Sequence, residues 1–204
     1  MGRIDQSMEQ KLTNNEDIKS RLLDEARQIF ARFGYNKTTV DDIARAVGKG
    51  KSTFYYYFTS KEEIFKAVIE KEAFLFRAKL IESISIKASP LDKIKNYVLT
   101  RLENFKELVN FYNAIRNDGM TQISFIDEIR DKYEMEQVNI IKMVLMEAIQ
   151  NKLIEIDDIE LVTEAMAEIL KGLEYHLMFN PSAGLNIKIK IDKVLDLVFK
   201  GITK

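Results

Sequence analysis

The sequence predicts an all-α protein in which a small three-helix domain precedes a larger helical domain. Apolar residues recur every three or four positions over most of the 204 residues. The chain has only two prolines, Pro90 and Pro181, and no long run in which apolar and polar residues alternate. The one short alternating stretch, residues 187–191, is expected to be helical or to lead into a helix, because a single strand would have no partner.

Composition narrows the class of protein. The absence of cysteine excludes disulfides, thiolate chemistry and cysteine-based zinc sites. No apolar run approaches the length of a membrane span, and the polar residues 1–16 differ from a signal peptide. We therefore expect a cytoplasmic protein without membrane contact, cofactor or metal, whose residues 1–15 form a flexible arm.

The first helix of the small domain is predicted to begin at a cap on Asn14 or Asn15 and to end at Gly34. Its apolar stripe has the spacing of one helix face and consists of Ile18, Leu22, Ala26, Ile29, Phe30 and Phe33. This helix is expected to cover the two shorter helices that follow it.

A second, very short helix follows Thr39. The Thr39 hydroxyl can accept a hydrogen bond from the backbone of Asp42, three residues later, to form a capping box. Gly48 supplies the left-handed residue that ends the helix, and Gly50 opens the next turn. Two short helices joined so tightly predict a helix-turn-helix motif.

The third helix, at about residues 51–58, carries Phe54 and Phe58 on one face, which we assign to the core. Its other faces hold polar side chains and the adjacent Tyr55, Tyr56 and Tyr57. Three neighbouring tyrosines cannot all be buried on so short a helix, although a place in the core remains the alternative for any single one of them.

Ser60 and Glu63 predict a second capping box, which starts the next helix at Lys61. Lys61 would then lie in a first turn, where free backbone N–H groups favour a phosphate. Residues 1–61 hold 11 Lys and Arg against 8 Asp and Glu, although the whole chain has a formal charge of −1. A local basic patch on a nearly neutral protein suits specific DNA binding.

Residues 18–71 resemble the DNA-binding domain of the TetR family of bacterial transcriptional repressors. The resemblance rests on features at fixed spacing: a helix ending in Phe33-Gly34-Tyr35, the Thr38-Thr39 pair, Asp42-Ile43-Ala44, Lys51 with Thr53, and Tyr55 to Phe58 followed by Ser60-Lys61-Glu62. It implies a transcriptional regulator, not an enzyme, that binds double-stranded operator DNA.

The resemblance also implies roles for individual residues. Lys51 and Ser52, at the start of the recognition helix, and Tyr56, near its middle, face the major groove. The residues in phosphate-binding positions are Thr39, Tyr55, Tyr57 and Lys61. Lys49 replaces a residue that is usually aliphatic, and Ser52 one that is commonly glycine, so the turn can carry an extra phosphate contact. Thr53 completes the predicted set of DNA-binding residues.

The larger domain is helical throughout, and the two domains are expected to span residues 16–62 and 63–204. Ser89 and Pro90 form a start signal, because serine caps a helix and proline suits its first position. Pro181 follows Asn180 and forms a stop signal. The predicted helices lie near residues 61–82, 90–106, 108–117, 122–151, 158–179 and 188–201.

For this larger domain the resemblance implies two further partners. The last two helices, at about residues 158–179 and 188–201, pack against their copies to form a homodimer that reads a palindrome. A small, largely apolar effector binds between the middle helices and releases the operator. The candidate lining residues are Phe105, Phe111, Tyr112, Tyr133, Met143, Met166, Tyr175, His176 and Phe179. The same residues also fit an ordinary core, and His176 also fits the surface.

Other classes explain less of the sequence. An enzyme would need a nucleophile with a base or a metal cluster, and one histidine without cysteine leaves only scattered carboxylates. A helical adaptor would not explain the basic, tyrosine-rich motif. Gly50-Lys51-Ser52 resembles the end of a nucleotide-binding loop, but Arg45 stands where that loop has its first glycine. An activator, a nucleoid-associated protein and a regulator without a ligand remain alternatives to a ligand-released repressor.

Overall fold

The computed structural model describes residues 6–85, 87–110, 113, 124–179 and 189–197, and the side chains in these ranges other than residues 6–15, 124, 126, 127, 130, 178 and 179. The α-helices are α1 (Gln6–Phe33), α2 (Val40–Ala46), α3 (Lys51–Tyr57), α4 (Lys61–Ser85), α5 (Pro90–Asn104), α6 (Ser124–Gln150), α7 (Ile159–Phe179) and α8 (189–197). A 3₁₀ helix, Phe105–Leu108, follows α5. The predicted all-α fold is confirmed.

The chain forms two compact units. The first comprises the described parts of Met1–Glu72 and Leu108–Ile126, and the second those of Ala73–Glu107 and Asp127–Lys204. Helix α4 therefore contributes its beginning to the first unit and its end to the second. The predicted boundary at residue 62 was drawn from local patterns, whereas the observed division follows the packing of segments that are distant in sequence.

The core of the first unit is built by α1 to α4. From α1 the stripe contributes Leu22, Ala26 and Phe30, all almost fully buried. The rings of Phe30 and Phe65 meet edge to face, with centroids 4.8 Å apart. The other buried apolar residues of α2, α3 and their flanks include Ile43, Ala44, Val47, Phe54 and Phe58. The three-helix arrangement predicted around the helix-turn-helix motif is thus present.

Two expectations for α1 were wrong. The helix begins at Gln6, before the predicted cap at Asn14 or Asn15, so much of the expected flexible arm is helical. Phe33 was assigned to the core stripe but is 51% exposed. It stands in the last turn before Gly34, and the guanidinium of Arg32 lies 5.0 Å from its ring centroid. The α1 stripe therefore leaves the core one turn earlier than its spacing suggested.

The core of the second unit lies between α5, α6, α7 and the end of α4. Ser89 caps α5, because its hydroxyl accepts a hydrogen bond from the Asp92 backbone (3.2 Å) and Pro90 occupies the first turn. This predicted start is confirmed. The predicted helices of this region agree with α5 to α8. Of the one predicted at 108–117, only residues 108–110 and 113 are described, and the stop at Asn180-Pro181 lies outside the described residues. In the described part of the chain, no helix is long and apolar enough to cross a membrane.

Candidate nucleic-acid interface

Thr39 forms the predicted cap of α2. Its hydroxyl oxygen accepts a hydrogen bond from the Asp42 backbone N–H (3.2 Å), and the Asp42 carboxylate accepts one from the Thr39 N–H (2.9 Å). These bonds to Thr39 lower the pKa of Asp42. Thr39 is exposed, whereas its neighbour Thr38 is buried and donates its hydroxyl proton to the Gly34 carbonyl (2.8 Å). Thr38 is thus the buried residue that stabilises the turn, and Thr39 is the exposed cap of α2.

The turn between α2 and α3 has the predicted backbone geometry. Gly48 has a φ of +69°, and the following Lys49 N–H donates to the carbonyl of Ala44 (2.9 Å). Gly50 is extended and starts α3 without a side-chain cap. The left-handed glycine reverses the chain immediately after α2, which fixes how α3 leaves the turn.

Helix α3 has one buried side and one exposed side. Phe54 is fully buried and Phe58 is 3% exposed, with ring centroids 5.9 Å apart. Tyr55 and Tyr56 are 54% and 71% exposed. Lys51 and Ser52 are also exposed. The predicted division between core and outer faces is confirmed, and contact of the outer face with DNA stays a prediction.

Thr53 and Tyr57 are half-buried at the edge of this outer face. The Tyr57 ring meets the Tyr56 ring edge to face, with centroids 4.8 Å apart. Burial, and then the neighbouring Tyr56, raises the pKa of Tyr57. Its phenol therefore remains protonated at neutral pH and can donate a hydrogen bond.

Lys61 has a structural role that sequence reasoning missed. Its ammonium donates to the carbonyl oxygens of Tyr35 (2.9 Å) and Thr38 (3.0 Å) and lies 4.2 Å from the Tyr35 ring centroid. Burial lowers the pKa of Lys61. Two of the three ammonium protons are thus directed at the turn between α1 and α2, which leaves one for the predicted phosphate contact.

The start of α4 differs in detail from the predicted capping box. Ser60 accepts a hydrogen bond from the Glu63 backbone (3.0 Å), as expected. The Glu63 carboxylate, however, accepts from the N–H and hydroxyl of Thr59 (2.5 and 2.6 Å). These bonds lower the pKa of Glu63. The cap therefore closes one residue earlier and holds the segment between α3 and α4.

The basic patch is smaller than the sequence suggested. Arg45 forms an ion pair with Asp41, one turn earlier on α2, so its charge is partly compensated. Lys49 and Lys51 are exposed on either side of Gly50, in the turn between α2 and α3. The positive potential of this surface is therefore concentrated at the turn and at the first residue of α3.

The predicted effector residues do not form one group. Phe105 is buried, and Tyr133 is half-buried in the second unit. Met166 lines an apolar cleft of about 580 Å³ between α5, α7 and α8. The exposed members are Met143, Tyr175 and His176. Phe111, Tyr112 and the side chain of Phe179 lie outside the described residues, so the lining of an effector site stays a prediction.

A buried ion pair in the second unit was not predicted. Arg101 on α5 and Glu174 on α7 are each 1% exposed, and Arg101 Nη2 lies 3.0 Å from a Glu174 carboxylate oxygen. The spacing along α5 could have revealed that Arg101 is buried. Arg101 follows Tyr97 by four residues and Val98 by three, so all three lie on the buried face of the helix. A charged residue at such a position indicates a buried partner.

A second buried carboxylate lies in the first unit. Glu72 on α4 is fully buried and accepts hydrogen bonds from Arg27 Nε (3.1 Å) on α1. It also accepts from the backbone N–H (3.0 Å) and the side-chain amide (2.8 Å) of Asn110. Burial raises the pKa of Glu72, although the bonds from Asn110 and Arg27 oppose that shift. This carboxylate therefore links α1 and α4 to Asn110, which lies just after the 3₁₀ helix.

The sequence of the chain is similar to those of bacterial regulators. A family model described as "Bacterial regulatory proteins, tetR family" matches residues 22–68, from the middle of α1 into α4. The chain is 23% identical over 196 residues to the HTH-type transcriptional regulator QacR of Staphylococcus aureus, covering 92% of this chain and 100% of that protein. An uncharacterised HTH-type regulator of Lactococcus lactis is 28% identical over 116 residues, and the match spans only 59% of its length.

Solved structures resemble the fold over most of the chain. A transcriptional regulator from Cytophaga hutchinsonii superposes with a TM-score of 0.74 at 23% identity, over 90% of this chain and 97% of that one. The complex of SmeT with triclosan superposes with a TM-score of 0.70 at 16% identity, over 91% of each chain. At these identities the likeness concerns the fold, which extends through both units.

Proposed function

Because this chain belongs to the TetR family and is a DNA-binding transcriptional regulator, we propose that it is a homodimeric repressor of a palindromic operator. A small, largely apolar effector in the C-terminal helical domain releases it from that operator. The proposal rests above all on α3, whose apolar side is buried while Lys51, Tyr55 and Tyr56 are exposed.

In the proposed complex α3 enters the major groove. Lys51 and Ser52, at its first turn, and Tyr56, on its most exposed side, read base edges, which offer hydrogen-bond acceptors to lysine and hydroxyl donors. The side chains that hold the phosphates are Thr39, Lys49, Tyr55 and Tyr57, with Thr53 at the edge of the surface. Lys61 contributes mainly by holding the turn that carries Thr39.

The short length of the recognition helix α3 supports dimerisation. Helix α3 has 7 residues and reaches few base pairs, so specificity requires a second copy related by a two-fold axis. Exposed apolar side chains on α7 and α8 support such an interface: Leu161, Ile169, Tyr175, Ile189, Val194 and Leu197. Lys95 of α5 holds α8 in place, because its ammonium lies 2.9 Å from the carboxylates of Asp192 and Asp196.

An effector is proposed because SmeT, a protein of similar fold, was solved in complex with triclosan. Helix α4 belongs to both units, so a ligand that binds the second unit better when α4 is displaced would change the position of α3. The required preference is modest, since weakening operator affinity ten- to a hundredfold needs about 1.4–3 kcal/mol of differential binding.

The test is selection of bound sequences from a random duplex pool, followed by titration of the selected duplex at two salt concentrations. We expect a palindrome with half-sites about one helical turn apart, bound by two chains with a steep salt dependence. The variant Lys51→Gln should lose affinity, whereas Lys87→Gln, an exposed lysine between α4 and α5, should not. Absence of any enriched sequence would contradict a sequence-specific regulator.

The alternatives within this class are an activator and a regulator without a ligand. A reporter gene placed behind the selected sequence distinguishes repression from activation, because the two change expression in opposite directions. If candidate effectors leave operator binding unchanged while the palindrome is bound tightly, the ligand-released mechanism is wrong and the DNA-binding assignment stands.

A further inference from the structure

Side chains from four helices meet at the buried ion pair of the second unit. Arg101 Nη2 donates to Glu174 (3.0 Å), and Nε forms a second, short contact with the same carboxylate. Arg101 Nη1 lies 3.3 Å from the Tyr97 hydroxyl. The guanidinium carbon lies 5.0 Å from the ring centroid of Tyr133 on α6 and 5.9 Å from that of Phe76 on α4. This polar cluster is enclosed, since Arg101 and Glu174 are each 1% exposed.

A net gain in stability is a weak explanation for this pair. Removing two charges from water is costly, and replacing a buried ion pair by apolar side chains of similar volume is often neutral or stabilising. In a domain whose remaining core is largely apolar, the pair is therefore a candidate for recognition. Buried, hydrogen-bonded groups at a central position are the ones that a ligand can use for orientation and specificity.

The chemistry of the two partners indicates which one a ligand would replace. A guanidinium stays charged at every physiological pH, so a displaced Arg101 would remain a costly buried cation. A displaced carboxyl can take up a proton and become neutral, which lowers the cost of its burial. The aromatic rings of Tyr133 and Phe76 also favour a cation at the Arg101 position. An incoming anion that exchanges with Glu174 is therefore the less costly event.

On this basis, and resting on the ligand-released mechanism proposed above, we infer that the effector is an organic anion whose carboxylate or similar group binds Arg101 in place of Glu174. The planar guanidinium can hold a carboxylate through two parallel hydrogen bonds. The rings of Tyr133 and Phe76, which flank the guanidinium, would pack on the apolar part of such a molecule next to its charged end. The effector class is thus an amphipathic acid, and Arg101 selects its charge.

The inference is tested with matched probes on the full chain. Carboxylates of increasing apolar size, from butyrate to decanoate together with benzoate, are each compared with the amine of the same carbon skeleton by thermal unfolding. We expect at least one carboxylate to raise the unfolding temperature while its matched amine does not. If the amines stabilise the protein as well as the acids, or if no carboxylate stabilises it, the inference is wrong.

Variants test whether stabilisation by the carboxylate depends on Arg101 and Glu174. The double variant Arg101→Met/Glu174→Met replaces both charges with apolar side chains of similar length, so that neither charge is left unpaired. It should lose the response to the active carboxylate. Lys93→Met removes a partly buried lysine from the same helix, which pairs with Glu147 (2.7 Å) outside the cluster, and should retain the response. Undiminished binding of the carboxylate to the folded double variant would overturn the assignment to Arg101.

A single variant keeps the test decisive if the double variant does not fold. Glu174→Gln removes the competing carboxylate and should bind the active acid more tightly, by about tenfold. Weaker binding would contradict the proposed exchange. Operator binding measured on the same samples separates the two proposals: a carboxylate that stabilises the protein without releasing DNA supports the anion site and counts against ligand release.

Discussion

The ammonium group of Lys61 lies 2.9 Å from the carbonyl oxygen of Tyr35 and 4.2 Å from the centroid of its ring. Tyr35 in turn packs on Phe65, with ring centroids 4.7 Å apart. The first turn of α4 is thereby tied to the turn that precedes the capped start of α2. Lys61 thus helps to hold the DNA-reading helices in place, in addition to any contact with phosphate.

We predict that Lys61→Met lowers the free energy of unfolding by about 1–2 kcal/mol without DNA, because two hydrogen bonds from a charged donor are lost at a half-exposed position. Urea denaturation measures this loss. Lys37→Met, at an exposed lysine of the same turn, should leave stability nearly unchanged. If Lys61→Met leaves stability unchanged but makes operator binding less dependent on salt, Lys61 contacts phosphate and does not stabilise the turn.

Two aromatic residues on α3 should respond in opposite ways. Tyr56→Ala should change the free energy of unfolding by less than about 0.5 kcal/mol, since the ring is 71% exposed, yet weaken operator binding. Phe54→Ala should cost about 3–5 kcal/mol of stability, because it leaves a cavity in the core. Unfolding curves and DNA titration distinguish the two. If Tyr56→Ala binds the operator as tightly as the wild type, Tyr56 does not contact DNA.

The two glycines of the recognition turn should tolerate side chains differently. Gly48→Ala should cost about 1–2 kcal/mol, because φ at this position is +69°. Gly50→Ser should be neutral or stabilising, since Gly50 is extended and serine can cap α3. Thermal unfolding of both variants provides the comparison. Equal losses would mean that crowding in the turn, and not backbone conformation, limits substitution.

Glu72 should make stability depend on pH. Burial raises its pKa in the folded protein above 4.5, so the folded state binds the proton more tightly than the unfolded state. The resulting stabilisation is complete below about pH 4.5 and is lost as pH rises through the raised pKa. Glu72→Gln cannot titrate, so the stability of the wild type relative to this variant should fall between pH 4.5 and neutrality. Urea denaturation of both proteins over that range measures the difference, and a constant difference would contradict the assignment.

The proposed homodimer can be disrupted at one exposed position. Ile169 on α7 is 62% exposed, so Ile169→Lys should leave the fold of each chain intact and place two like charges in the shared interface. Light scattering after gel filtration should then show a monomer. Met135→Lys changes an equally exposed residue on α6 and should remain dimeric. Dissociation by Met135→Lys alone would place the interface on α6.

Sequence reasoning succeeded where the determinants are local. The Thr39 cap, the left-handed Gly48 and the Ser89 start signal each depend on hydrogen bonds or backbone geometry within a few residues, and all three are present. The division of α3 into a buried and an exposed side also follows from its spacing of Phe54 and Phe58. Periodicity predicted burial less well at helix ends, since Phe33 continues the apolar stripe of α1 and yet is exposed.

The sequence by itself determined the all-α class, the helix-turn-helix motif and the family to which its residues point, because capping and periodicity are written in neighbouring positions. Tertiary structure alone decided that Lys61 binds the Tyr35 and Thr38 carbonyls, that Glu72 joins α1 to α4, and that Arg101 pairs with Glu174. In each of these contacts the partners are more than twenty residues apart along the chain, so only the packing of helices brings the charges together. Burial then sets the energetic importance of each charge, which no local pattern specifies.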